Sequence, residues 1–157
     1  MSYAIRIERF AGRPLAVVRR QATMQQLATV IPQACGTVWN ALRARGVQGA
    51  GRHVAVYLDD IMNLEVGVEL DAPIAAFGEV VPSMLRAGEV ATTTHLGPYQ
   101  RLGEAHEAIQ QWCESRQREP VRPCWEVYGH WVEEWNQDPS KIRTDVYYLL
   151  KTGGSAT

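Results

Sequence analysis

Cysteine is scarce in this chain and poorly spaced for chemistry. Cys35, Cys113 and Cys124 are an odd number with no Cys-x-x-Cys pair, which excludes a zinc knuckle and a thioredoxin-type redox pair. Cys35 and Cys113 fall inside helical patterns and read as small buried hydrophobes. A nucleophilic thiol would need a base brought beside it in space, for which His95 and His106 are the candidates. No apolar run approaches the roughly 20 residues that cross a bilayer. The first residues alternate in polarity and lack the apolar block of a signal peptide, so the cytoplasm is the expected compartment, without a membrane partner. Net charge is -1, with no basic stripe, which argues against direct nucleic-acid binding. Arg19-Arg20, Arg43, Arg45 and Arg52 read as solvated edges. Phosphate loop, dinucleotide fingerprint, Gly-x-Ser-x-Gly and His-Glu-x-x-His are all missing. His53, His106 and His130 show no metal-ligand spacing, so neither metal nor cofactor is expected.

What remains is an ordinary globular composition, 46% hydrophobic and 21% charged, over 157 residues. That length suits one domain with a proper core, expected over residues 1–152 with a flexible tail at 153–157. The chain reads twice. Gly51-Arg52-His53-Val54-Ala55-Val56-Tyr57 is an apolar run ending in Val-Tyr, and Arg122-Pro123-Cys124-Trp125-Glu126-Val127-Tyr128 repeats it. Each follows an amphipathic segment that carries a Trp. The second run differs by a carboxylate, Glu126, where the first has Ala55.

Periodicity organises each copy. Residues 3–10 alternate as a strand, Gly12-Arg13-Pro14 turns, and Leu15 opens the next strand. Leu27, Val30, Ile31, Ala34, Val38, Ala41 and Leu42 recur at helical spacing, with Pro32 marking a kink or a separate turn. Gly46 and Gly49-Ala50-Gly51 stop that helix. Strands follow at 54–58 and 64–70. The second copy has a strand at 89–96, a turn at Gly97-Pro98-Tyr99 and a helix through Leu102, Ala105, Ile109 and Trp112. Strands at 121–128 and 143–150 complete it, separated by a polar, Trp-bearing loop. The copies are expected at about 1–72 and 83–151, joined by a linker in which Phe77 is an anchor or a short strand. The expected class is α+β: duplicated strand-helix-strand-strand units with pseudo-twofold symmetry, a mainly antiparallel sheet, and two long helices on one face.

Arg86-Ala87-Gly88-Glu89 through His95-Leu96-Gly97-Pro98-Tyr99 resembles the central signature of the GyrI-like, or AraC-type, effector-binding domain. Trp125-Glu126-Val127-Tyr128, Asp138-Pro139 and Arg143-Thr144-Asp145-Val146-Tyr147 are similar to its C-terminal signature, in the same order. The resemblance implies two halves enclosing a central cleft for small cationic or aromatic molecules. It places the pocket carboxylate at Glu126 and cleft aromatics at Tyr57 and Tyr147. The chain departs from the family pattern after Tyr128, where 129–137 lengthens the path to Asp138-Pro139 and alters the expected mouth of the cleft.

The residues support the same site in their own right. On a strand, Glu126 and Tyr128 share one face, while Trp125 and Val127 share the other. A carboxylate among apolar neighbours is costly to bury unless paired, and a ligand cation is one such partner. Aromatic faces would add about 0.5–2 kcal/mol of cation-π attraction. The alternative sets Glu126 on an outward face, paired with Arg122 or Arg143. Tyr57 and Tyr128 read either as pocket residues or as sheet aromatics with solvated hydroxyls. Tyr147 and Tyr148 face opposite sides, so only one can line the cleft. Trp39 is a candidate cleft wall, although it and Trp112 also fit helical core stripes. Trp131 and Trp135 cap the cleft or pack the long loop on its own sheet. His95 donates either to a ligand or to a nearby carbonyl.

Three functions follow. The first is a stand-alone binding protein for a cationic or aromatic small molecule, acting as a sensor or sequestering module, since the first strand begins too early for a preceding DNA-binding domain. The second, implied by the resemblance, is a hydrolase of strained electrophiles such as cyclopropanoids. Glu126 would position or activate water, and Tyr57 or Tyr147 would hold the leaving oxygen. The third is a protein-interaction role of the gyrase-inhibitor type. Oligomeric state is not legible.

Overall fold

A computed structural model describes residues 3–152. The flexible tail expected at 153–157 lies outside the described residues. Two compact units emerge among the described residues, one formed by residues 11–87 and the other by residues 3–10 together with 88–152.

The first unit contains strand β2 (Arg13–Gln21), helix α1 (Leu27–Ala44), and strands β3 (Ala50–Tyr57), β4 (Asn63–Leu70) and β5 (Val81–Leu85). The second contains β1 (Arg6–Phe10), β6 (Gly88–Leu96), α2 (Leu102–Ser115), β7 (Pro120–Tyr128) and β8 (Arg143–Leu150). A short helix α3 (Glu134–Gln137) lies between β7 and β8. Within each unit every strand pairing is antiparallel, in the order β3-β4-β2-β5 in one and β7-β8-β6-β1 in the other. The class is therefore α+β, built from two strand-helix-strand-strand copies.

The copies match residue for residue. Tyr57 pairs with Leu64, and Tyr128 pairs with Thr144 at the same step of the second copy. Both ladders carry a register shift at the equivalent place, between Ala50 and His53 and between Val121 and Cys124. The helices agree as well. Ala34, Val38 and Leu42 are the buried face of α1, and Ala105, Ile109 and Cys113 that of α2. One constant sequence offset relates these helical positions, and the same offset carries β3 onto β7.

The edge strands differ from the sequence expectation. The strand expected to open the first copy, β1, is hydrogen-bonded to β6 of the second, with Phe10 opposite Gly88. β5, which precedes the second copy in the chain, pairs with β2 of the first. Each copy's leading strand is thus exchanged. Sequence periodicity missed β5 because Pro82 interrupts it, and proline belongs on an edge strand where its absent N–H breaks no ladder. Phe77 forms a single bridge to Val80, and the Arg45 guanidinium lies 4.3 Å over its ring.

Pro32 is tolerated inside α1. A turn at Met24–Gln26 precedes the helix and closes a reciprocal cap, in which Thr23 accepts from the Gln26 amide and Gln26 accepts from the Thr23 amide. Gly97 explains the His-x-Gly-Pro-Tyr motif. Its φ of 143° favours glycine, and its amide reaches the Ile142 carbonyl at 2.8 Å, turning the chain from β6 toward α2.

Candidate ligand site

Alternation along β7 puts Cys124, Glu126 and Tyr128 on one face and Trp125 and Val127 on the other. β8 continues both faces. Tyr148 lies opposite Cys124 and Val146 opposite Glu126, while Tyr147 lies opposite Trp125. Helix α2 covers the Glu126 face, and its buried stripe of Ala105, Ile109 and Cys113 leaves His106 and Gln110 at the stripe's edge above β7 and β8.

Glu126 is 4% exposed and its carboxylate is held on both oxygens. The Tyr128 hydroxyl donates to Oε1 at 2.5 Å, and Nε2 of His106 stands 2.5 Å from Oε2. Nδ1 of the same imidazole lies 2.7 Å from the Tyr148 hydroxyl, whose oxygen accepts from Gln110 Nε2 at 3.1 Å. Burial, and then the neighbouring Cys124, push the Tyr148 phenol far above the ordinary tyrosine range. It therefore keeps its proton, with Nδ1 of His106 and the Cys124 sulfur both within its reach as acceptors. The outcome is a continuous chain, Tyr128–Glu126–His106–Tyr148–Gln110. Tyr99 extends the site by packing edge-on against Tyr128 at 5.7 Å between centroids.

Cys124 adjoins the chain as a thiol. Burial pushes it up to about 11 despite the Arg122 guanidinium 2.9 Å from its sulfur. Arg143 donates to Asp145 at 3.2 Å, on the opposite face of β8. The 4% exposure of Glu126 sets aside an outward-facing side chain.

Tyr147 is a correction of geometry. It stacks on Trp125 at 5.4 Å with ring planes 11° apart, and Phe10 packs tilted against both. That aromatic group occupies the side of the sheet away from Glu126, so of the two adjacent tyrosines Tyr148 is the one on the carboxylate's face, bonded to its partner His106. His95 is 1% exposed, and both of its ring nitrogens are engaged, Nδ1 with the Tyr3 hydroxyl at 2.9 Å and Nε2 with the Pro98 carbonyl at 3.1 Å. It fastens the turn into α2. Trp131 is 51% exposed, meets Trp135 edge-on at 5.3 Å and donates to Asn136. A Cβ on Gly129 would lie 2.9 Å from the Trp135 ring, so glycine there lets the inserted segment close on the end of β7. Trp112 is half-buried beneath the Arg116 guanidinium rather than being a core residue.

Tyr57 and Trp39 belong to the first unit. Tyr57 is buried on the α1 face of β3, the face that also bears His53 and Ala55. Trp39 is 37% exposed and packs against His53 at 5.7 Å.

The residue that sequence reading missed is His106, and a signal for it existed. The offset that aligns Glu126 with Ala55 aligns His106 with Cys35. The second copy therefore changes two contacting positions at once, from small and apolar to ionisable. Among the described residues, no cluster of three or more His, Cys, Asp or Glu side chains is arranged to hold a metal ion. No helix among them is long and apolar enough to cross a membrane.

This fold is of the α+β effector-binding class. Residues 3–151 match the model of the GyrI-like small molecule binding domain, and the chain belongs to that family. Solved structures agree in fold. The C-terminal domain of EcmrR has a TM-score of 0.80 at 19% identity, over 96% of this chain and 99% of that one. SAV2435 bound to tetraphenylphosphonium has a TM-score of 0.68 at 13% identity, over 97% and 95%. A hydrolase encoded by lin2189 from Listeria innocua has a TM-score of 0.58 at 10% identity, over 94% and 91%. No protein of curated function matches in sequence.

Proposed function

We propose that this domain binds a cationic, aromatic small molecule, with Glu126 as the counter-charge, and serves as a sensor or sequestering module. One observation carries the reading: a carboxylate 4% exposed, in the copy of a duplicated unit whose partner copy has alanine at that position. A buried carboxylate is expensive to retain. A ligand cation recovers that cost at the moment of binding. Tyr128, bonded to the carboxylate, and Tyr99, edge-on against Tyr128, supply ring faces and edges for an aromatic cation. Structural similarity to SAV2435, solved with tetraphenylphosphonium, makes that cation a sensible probe.

The test is a thermal-shift titration of wild type and Glu126→Gln with tetraphenylphosphonium. Ligand at 100 times its dissociation constant stabilises by about 2.7 kcal/mol. Wild type is expected to shift by several degrees and Glu126→Gln by little or nothing. Equal shifts in both proteins would remove Glu126 from the site.

A second reading, hydrolysis of a strained electrophile, draws support from the His106–Glu126 contact and from the fold shared with the Listeria hydrolase. A carboxylate backed by an imidazole is a competent general base for water. Incubation with a cyclopropane-bearing electrophile separates the two readings: a hydrolase consumes it with turnover that Glu126→Gln abolishes, whereas a binder leaves it intact.

A further inference from the structure

We propose that His106 is the specificity-determining residue of the Glu126 site, exchanging its own proton for the positive charge of the ligand. This rests on Glu126 as the ligand anchor and adds how that anchor is charged. With a protonated imidazole 2.5 Å from Oε2, the pair is neutral overall, and an arriving cation meets an occupied carboxylate and a like charge. With a neutral imidazole, the same pair carries one negative charge and still donates Nε2–H to orient the carboxylate. Beside the fixed guanidinium of Arg122, the His106–Glu126 pair thus takes up one positive charge at a time, a proton or a ligand.

The surroundings accommodate both states. Facing His106 are Glu126 and Cys124 from β7, with Tyr128 beyond the carboxylate and Arg122 beyond the thiol, and Tyr148 from β8. His95 on β6 is already committed to Tyr3 and Pro98. Tyr148 is the adaptable member. Its hydroxyl donates to Nδ1 of the neutral ring, or accepts from a protonated Nδ1 while turning its own proton to Cys124, with which it also shares a hydrogen bond. Neither state strands a buried polar group, so His106 can titrate without disrupting the core. The first copy, with Cys35 and Ala55 at these positions, has no such pair.

The sign follows from linkage. If binding requires loss of the imidazole proton, apparent affinity for a permanent cation falls by about tenfold per pH unit wherever the free pair holds that proton. The experiment is calorimetric titration of the intact chain with tetraphenylphosphonium from about pH 5 to 8, where imidazoles titrate, in buffers of differing ionisation enthalpy. Wild type is expected to release about one proton per ligand at the acid end. His106→Gln, which keeps a donor for Glu126 and an acceptor for Tyr148, is expected to bind with affinity nearly flat in pH and no proton release. Binding by wild type without proton release overturns the inference and leaves the anchor reading intact. A slope that persists in His106→Gln also overturns it, because Glu126 would then be the titrating group. Absence of binding by wild type at every pH overturns the anchor reading and the inference with it.

Discussion

Nε2 of His106 stands 2.5 Å from Oε2 of Glu126, joining helix α2 to strand β7 through a pair in which the carboxylate is buried and the imidazole half-buried. Such a contact ties the helix to the sheet in one register, because only one turn of α2 brings an imidazole over this carboxylate. Leucine at either position alone leaves the other polar group without its partner, at about 1–3 kcal/mol. His106→Leu and Glu126→Leu are therefore expected to destabilise singly, while the double variant costs less than their sum by at least about 1 kcal/mol. Urea unfolding of the four proteins checks this. Simple additivity would mean that the contact contributes no coupling.

On the other face of β7, Trp125 fills a different role. It is fully buried, stacked on Tyr147, and its indole Nε1 makes no hydrogen bond. Trp125→Phe gives up some apolar area but removes a stranded donor, two effects of similar size and opposite sign. It is expected to lie within about 1.5 kcal/mol of wild type, whereas Trp125→Ala should cost about 3–5 kcal/mol. At roughly 2–4 °C per kcal/mol for a domain of this size, melting curves resolve the two. A phenylalanine variant as damaged as the alanine variant would show that Nε1 has a partner that matters.

The buried thiols, together with the Tyr148 phenol, make the fold sensitive to alkali. Burial pushes Cys35 up to about 12 and Cys124 up to about 11, from 9.0 for an exposed thiol, and it also raises Cys113. A thiol raised in the folded state contributes stability that is complete below its unfolded value and is lost as pH rises through the folded one. The urea midpoint is expected to hold up to about pH 8.5 and to fall progressively between pH 9 and 12. Cys35→Ala should flatten part of that fall. The same burial leaves all three thiols unreactive toward a disulfide reagent at neutral pH until the chain unfolds. Rapid labelling of native protein would contradict it.

The parts of this molecule that follow from local pattern were legible in the sequence. Helix α2, strand β4 and the paired Val-Tyr strands each carry a period that a single face of a helix or strand requires. The duplication then gave the alignment that singled out Glu126. Three things did not follow from pattern. The exchange of β1 and β5 is a matter of long-range pairing, and Pro82 hides β5 from any strand template. The choice between Tyr147 and Tyr148 depended on which side of β8 helix α2 covers, since alternation separates two adjacent residues without saying which is which. His106 was overlooked because it was weighed as a metal ligand or as a base for a thiol. Its meaning appears only when it is paired with the strand residue beneath it.

The duplication itself can be tested by moving the pair. Cys35 and Ala55 occupy in the first copy the positions of His106 and Glu126, on an α1 face and a β3 face that are both buried. Ala55→Glu alone places a carboxylate among apolar neighbours with no donor designed for it, and about 3–5 kcal/mol of stability should be lost. Adding Cys35→His supplies an imidazole from the helical position that reaches this strand residue in the other copy. If the two copies share their geometry as closely as the matched register shifts indicate, the double variant should recover at least about 1 kcal/mol of that loss. Recovery should also depend on pH, with the imidazole protonated at the acid end to balance the new carboxylate. Val68 stands where Tyr148 stands in the second copy, so the grafted Nδ1 lacks its phenol partner and recovery should be incomplete. Val68→Tyr is the further change expected to raise it. A double variant no more stable than Ala55→Glu would mean that α1 and α2 sit differently over their strands, and that the asymmetry between the copies extends beyond side chains to the backbone.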